Sequence, residues 1–147
     1  MRRLIPPILF VLCLGLMLLL RWLWPITILL PPAWAWLGLA PVLIGIATGA
    51  AGVSEFIKAK TNIRPFKEAD KLVTTGPFRH SRNPMYLGLL LGLLGVWILL
   101  GALSPALGVV IFFVVADRWY IRVEEEMLGQ KFGPAFDEYC ARVRRWV

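Results

Sequence analysis

Between residues 84 and 116 the chain carries no Asp, Glu, Lys or Arg. A backbone in lipid must satisfy its own hydrogen bonds, so an apolar run of this kind is helical where it enters a membrane. The run is too long for one span, and it contains a break at Gly101-Ala102-Leu103-Ser104-Pro105. Two helices of roughly 16 residues, about 25 Å each at 1.5 Å per residue, then form a tight hairpin. Two more apolar stretches precede them. The 147 residues are 59% hydrophobic with a mean hydropathy of +0.71, far above an ordinary soluble domain. The fold class expected is an all-α polytopic membrane helix bundle. It has about four transmembrane helices, near 4–24, 33–56, 84–101 and 104–121, in a single domain over 1–147.

Met1-Arg2-Arg3 before an apolar stretch, with Ala33-Trp34-Ala35 after it, formally resembles a signal peptide and its cleavage site. The stretch is too long for an ordinary signal core and a membrane protein follows it, so it reads as an uncleaved first helix. Of 16 Lys and Arg, 15 fall in the amino-terminal stub, the 57–83 region and the 122–147 tail with its approach; only Arg21 falls on the other side. The positive-inside rule then places both termini, the middle loop and any site built from them in the cytoplasm. The nine acidic residues lie on that side too, leaving it a net charge of +6. Anionic lipid headgroups explain such an excess better than nucleic acid does. Cys13 and Cys140 have neither CxxC spacing nor histidine partners, so neither a disulfide nor a metal site is expected.

Small residues at Gly45, Gly49 and Gly52, and at Gly88, Gly92 and Gly95, suit close packing between the second and third helices. The loop holds Asn62-Ile63-Arg64-Pro65 and then an apolar pair, Leu72-Val73, before a Gly76-Pro77 turn. In the tail, Phe132, Phe136, Tyr139, Val143 and Trp146 recur at spacings of 4, 3, 4 and 3. That spacing predicts one amphipathic helix lying on the membrane surface or capping the bundle.

Two polar clusters border the uncharged run. In GPFRHSRNPMYLG, Asn83 suits an N-cap, Pro84 the first helical position and Tyr86 a membrane interface, with Arg79 and Arg82 as positive-inside anchors. His80 has no ligand-like neighbour and reads as a solvated loop residue. In the second cluster, Arg118 lies about 20 Å along the fourth helix from Pro105, at the edge of the hydrocarbon, where ionisable groups are expensive. Arg118, Arg122 and Glu125 share one helical face and are expected to pair. Snorkelling with intrahelical ion pairing accounts for the same residues without a function. The hairpin makes the two clusters face each other across one pocket.

These residues resemble the isoprenylcysteine carboxyl methyltransferase family, grouped with small phospholipid methyltransferases. Its first signature, LVxxGPYxxxRHPxYxG, is similar to Leu72-Val73, Gly76-Pro77-Phe78, Arg82-Asn83-Pro84-Met85-Tyr86 and Gly88. Its second is similar to Arg118, Glu124-Glu125, Leu128, Phe132-Gly133, Tyr139 and Arg142-Val143. Asn83 stands where His is commoner, and Phe78 and Phe136 stand where Tyr is usual. The resemblance implies methyl transfer from S-adenosylmethionine, with S-adenosylhomocysteine as product, to a lipophilic acceptor: a prenylcysteine-like carboxylate or a lipid headgroup. It implies that Asp70, Lys71, Leu72, Val73, Phe78, Asn83, Pro84, Met85, Tyr86 and Glu124 hold the cofactor. Arg118 and Arg122 would address the acceptor, and Arg118 and Glu125 would be catalytic, Glu125 as the base if the acceptor is an amine. A glycine-rich dinucleotide fingerprint is absent, which excludes a soluble-type methyltransferase fold. A related membrane sterol reductase using a nicotinamide cofactor, or a non-catalytic membrane adaptor, are the competing readings.

Overall fold

The computed structural model describes residues 5–61 and 70–147 and is helical throughout that range, apart from turns and one isolated antiparallel bridge. The Asn62-Ile63-Arg64-Pro65 stretch and the Met1-Arg2-Arg3 stub lie outside the described residues. Helix α1 (Pro6–Leu23) starts on Pro6, whose missing N–H is no loss in a first turn. A short helix α2 (Pro32–Ala35) runs through one tight turn into α3 (Leu39–Ala59), where Lys60 at φ 52° closes the end. Helix α4 (Pro84–Leu100) ends on Gly101 at φ 63°, a conformation that glycine adopts without a Cβ clash.

Beyond it, α5 (Ala106–Val115), a wide turn at Ala116–Tyr120 and α6 (Ile121–Phe132) form one continuous rod, and α7 (Pro134–Arg142) follows. Two helical stretches, Pro6–Leu23 and Pro32–Ala59, are long and apolar enough to cross a membrane; α4, with 17 residues, is shorter. Their outward side chains are apolar, with Val11 62% and Leu43 64% exposed, as a lipid-facing surface requires.

Glycine sets the crossing of α3 and α4. A methyl on Gly45 would run into the carbonyl of Gly88, and one on Gly95 into the carbonyl of Gly38. The two backbones therefore touch, which is the close approach the small-residue spacing predicts. Gly52 makes room for Met85 and Pro84 in the same way, fixing the first turn of α4 against α3. Gly49 and Gly92 differ: a methyl on Gly49 would meet nothing within 4 Å, and Gly92 faces the Phe10 ring of α1. Leu9, Cys13 and Met17 of α1 meet Leu93, Phe112, Ala116, Tyr120 and Ile121 in the main core.

The tail is not the single amphipathic helix expected. Gly133 at φ 51° and Pro134, which has no N–H to continue the ladder, break it after Phe132. The apolar stripe splits accordingly. Phe136, Tyr139 and Val143 form a second small core with Leu72, Leu128, Phe132 and Cys140, whereas Trp146 packs on Phe113, ring centroids 5.2 Å apart.

Candidate functional site

The cleft is built where the first turn of α4 meets α6 and α7. Thr61 Oγ1 accepts the N–H groups of Asp70 (2.9 Å) and Lys71 (3.3 Å), bringing the Leu72-Val73 pair back to the bundle. Gly76, at φ 58°, turns the chain against Glu55 and leads into the short turn that buries Phe78. The Phe78 ring meets Phe56 of α3 edge to face at 5.4 Å. Its carbonyl accepts the Tyr139 hydroxyl at 2.7 Å. Burial pushes that phenol up to about 12.

Asn83 sits at the N-cap position of α4, but its side chain does not cap the helix. Its amide instead donates to the Arg145 carbonyl at 3.0 Å, while Ser81 Oγ accepts the Asn83 N–H at 3.1 Å. Tyr86, expected at a membrane interface, is buried. Its hydroxyl donates to Glu124 at 2.8 Å and its ring stacks on Tyr120. Loss of water around the Glu124 carboxyl raises it to about 7, against a smaller opposing effect of the Tyr86 hydrogen bond.

The cleft encloses about 620 Å³ including the solvent at its mouth. Of the ten residues assigned to cofactor binding by sequence, nine line it: Lys71, Leu72, Val73, Phe78, Asn83, Pro84, Met85, Tyr86 and Glu124. Asp70 is exposed and is not part of the lining. Glu125 lines the cleft, but both its oxygens are held, by Arg82 at 2.9 Å and Arg145 at 2.5 Å. Arg118 and Arg122 do not line it; their side chains are 85% and 71% exposed, beside Asp117 (3.7 Å) and Glu126 (3.1 Å) respectively. The expected pairing of Arg118, Arg122 and Glu125 on one face is therefore replaced. The wide turn at Ala116–Tyr120 shifts the helical phase between Arg118 and Glu125, so the regular 3.6-residue count fails there.

Sequence reasoning missed Phe56, Leu128, Phe136 and Tyr139 as lining residues, and took Arg82 for an anchor. Phe56 carried a signal, since it lies one turn beyond Gly52 on the face that meets α4. Arg82 stood in the first signature, but nothing local marked its partners: its guanidinium is spent on Glu125 and on the Cys140 and Val143 carbonyls, far away in sequence.

A family model described as phospholipid methyltransferase matches residues 33–135. The chain belongs to the phospholipid methyltransferase family. Membership supports methyltransferase activity and association with a membrane, in accord with the spanning-length helices. This family member is similar to a yeast protein-S-isoprenylcysteine O-methyltransferase (Saccharomyces cerevisiae), 36% identical over 104 residues, covering 68% of this chain and 40% of that one. It is also similar to an uncharacterized protein of Haemophilus influenzae, 44% identical over 63 residues, covering 43% of this chain and 100% of that protein. A third relative is the nickel-cobalt-cadmium resistance protein NccN of Alcaligenes xylosoxydans xylosoxydans, 30% identical over 76 residues, covering 52% of this chain and 35% of that protein. The chain thus spans well under half the length of the yeast and Alcaligenes proteins. No solved structure matches it.

Proposed function

We propose that the protein transfers a methyl group from S-adenosylmethionine to a lipophilic acceptor at the cytoplasmic membrane surface, the cofactor lying in the cleft between α4, α6 and α7. The observation that carries this reading is the convergence of two signature segments, far apart in sequence, on one cleft. The lining suits the cofactor. Phe56, Leu72, Val73 and Phe78 offer an apolar and aromatic wall for a purine, while Asn83, Tyr86 and Glu124 offer polar groups for a ribose and an amino-acid moiety. When bound, S-adenosylmethionine supplies an electrophilic methyl on a sulfonium, and alignment with the acceptor is the main demand on the protein.

The residues of the chain divide that work. Tyr86 orients Glu124 through its hydroxyl, and Glu124, raised to about 7, can hold or take a proton at neutral pH. Glu125, engaged by two guanidiniums, serves as a positioning anion, so Glu124 replaces it as the candidate base for an amine acceptor. Arg118, next to the 62% exposed Trp119, lies on the outer face of the rod, where it can meet an acceptor arriving from lipid, with Arg122 one turn on. In this reading the four spans follow from the apolar runs, and the cytoplasmic side of the cleft from the bias of Lys and Arg along the sequence.

Calorimetric titration of detergent-purified protein with S-adenosylhomocysteine tests the reading. Micromolar binding that is lost in Tyr86→Ala and Glu124→Ala supports it, and well-folded wild-type protein that binds nothing removes it. Arg118→Ala should keep that binding and lose methyl transfer to membrane lipids; full turnover would take Arg118 out of the site.

A further inference from the structure

Residues 143–147 are not helical, and their carbonyls from Val143 to Arg145 are held by residues 81–83, just before α4. The Arg82 N–H donates to the Arg144 carbonyl at 3.0 Å, and the Arg82 guanidinium to the Val143 carbonyl at 2.9 Å. Asn83 and Ser81 both donate to the Arg145 carbonyl. The Arg145 side chain turns the other way. It grips Glu125 through Nε and Nη2 and reaches Asp117 through Nη1 at 3.3 Å, and Trp146 Nε1 donates to the same Asp117 oxygen at 2.9 Å. All four charged groups are mostly shielded, the side chains of Arg82, Glu125 and Asp117 being 15%, 16% and 19% exposed and that of Arg145 35%. Two cations and two anions so arranged are screened less than surface pairs, and each forked contact fixes direction as well as distance.

We infer that Arg145 is a positioning residue for the cofactor cleft: by bridging Glu125 and Asp117 it latches residues 143–146 across the start of α4 and holds the Arg82–Tyr86 wall in its binding geometry. Arg145 and the segment it holds lie outside the 33–135 stretch that matches the family model, whereas their partners Arg82, Asp117 and Glu125 lie within it. Arg145 acts at a distance, through Glu125 and Arg82 on one side and through its own carbonyl on Asn83 on the other. The inference rests on the proposed placement of the cofactor in the cleft, so its test carries one measurement that needs no cofactor. Cys140 supplies it. This free thiol is half-buried on α7, packed against the small core that includes Val143 of the latched segment, while Cys13 is buried in the main core and serves as an internal reference.

The experiment compares wild type, Arg145→Ala and Arg145→Lys for S-adenosylhomocysteine affinity and stoichiometry by calorimetry, and for the rate of Cys140 modification by N-ethylmaleimide, read by peptide mass. Expected for Arg145→Ala is an affinity about tenfold weaker at unchanged stoichiometry, with Cys140 labelled several-fold faster and Cys13 unchanged. Arg145→Lys, which keeps the charge without the fork, should fall between the two. Wild-type affinity and labelling rate in Arg145→Ala overturn the inference, as does a fall in stoichiometry with affinity unchanged, which marks a merely structural role. Should Arg145→Ala fail to fold, Arg145→Lys decides, and wild-type values there overturn the inference. If wild type itself binds no S-adenosylhomocysteine, the cofactor reading falls. Cys140 labelling then still judges the latch, and an unchanged rate in Arg145→Ala overturns it.

Discussion

The two ends of the helix bundle are closed in different ways. At the end opposite the cleft, backbone meets backbone: Leu29 N–H donates to the Gly101 carbonyl at 2.7 Å and Leu103 N–H to the Thr27 carbonyl at 2.9 Å. The side chains there only reinforce this, Arg21 and Trp97 donating to the carbonyls of Leu100 and Ala102. At the cleft end, closure depends on side chains: Tyr86 on Glu124, Tyr139 on Phe78, and Arg82 and Arg145 on Glu125. A backbone tie is indifferent to residue type, whereas a side-chain tie demands a particular residue. The end tied mainly through backbone depends less on residue type, and the end tied through side chains encloses the cleft.

That contrast can be broken most easily at Glu124. Replacement by alanine leaves the buried Tyr86 hydroxyl unpartnered and removes a polar wall, and should weaken S-adenosylhomocysteine binding by at least about tenfold and as much as about a hundredfold. Next in size is Gly45→Ala in the shared middle of the molecule, where the added methyl meets the Gly88 backbone. A cost of about 1–3 kcal/mol is expected, seen as a lower thermal midpoint in detergent together with a lower fraction of protein competent to bind.

A pH titration of stability sharpens the comparison. Glu124 is raised in the folded protein above its ordinary carboxylate value, so its contribution is fully present near pH 4 and is lost as pH rises through about 7. Wild type should therefore lose stability relative to Glu124→Gln between pH 5 and pH 8, by about 2 kcal/mol. A flat difference across that range would mean that the carboxyl is already ionised at pH 5. The smallest effect belongs to the far end. Trp97→Phe, which removes one hydrogen bond to a loop carbonyl, should cost about 1 kcal/mol and leave cofactor affinity unchanged. A change in affinity there would show that the two ends are coupled.

How much of this was legible in the sequence follows from the range over which each feature is determined. The helices α1, α3 and α4 are written in local apolar runs, in Pro6 and Pro84 at their starts or within the first turn, and in Gly101 at the hairpin, and they appear where expected. The lining from Leu72 to Tyr86 was legible through its signature, although Arg82 was taken for an anchor, and Asp70, assigned with it, is exposed and outside the lining. The tail misled because its 4-3-4-3 spacing is real, but Gly133-Pro134 interrupts the ladder that would make it one stripe. Arg145 carried no local mark at all; its role depends on where Glu125 and Asp117 come to lie after folding.

The wide turn at Ala116–Tyr120 makes chain length itself informative. A wide turn holds one residue more than a regular one, and one residue advances a regular helix by about 100°. Deleting one residue there therefore closes the turn and leaves α6 in phase with α5, whereas inserting one between Tyr120 and Glu124 turns the rest of α6 by that angle. A different side chain would then stand opposite Tyr86, and Glu124 would point elsewhere. Which carboxyl faces the cleft is thus settled by counting as much as by chemistry: a single-codon insertion between Tyr120 and Glu124 should be as damaging as the loss of Glu124, and a single-codon deletion within the wide turn much less so.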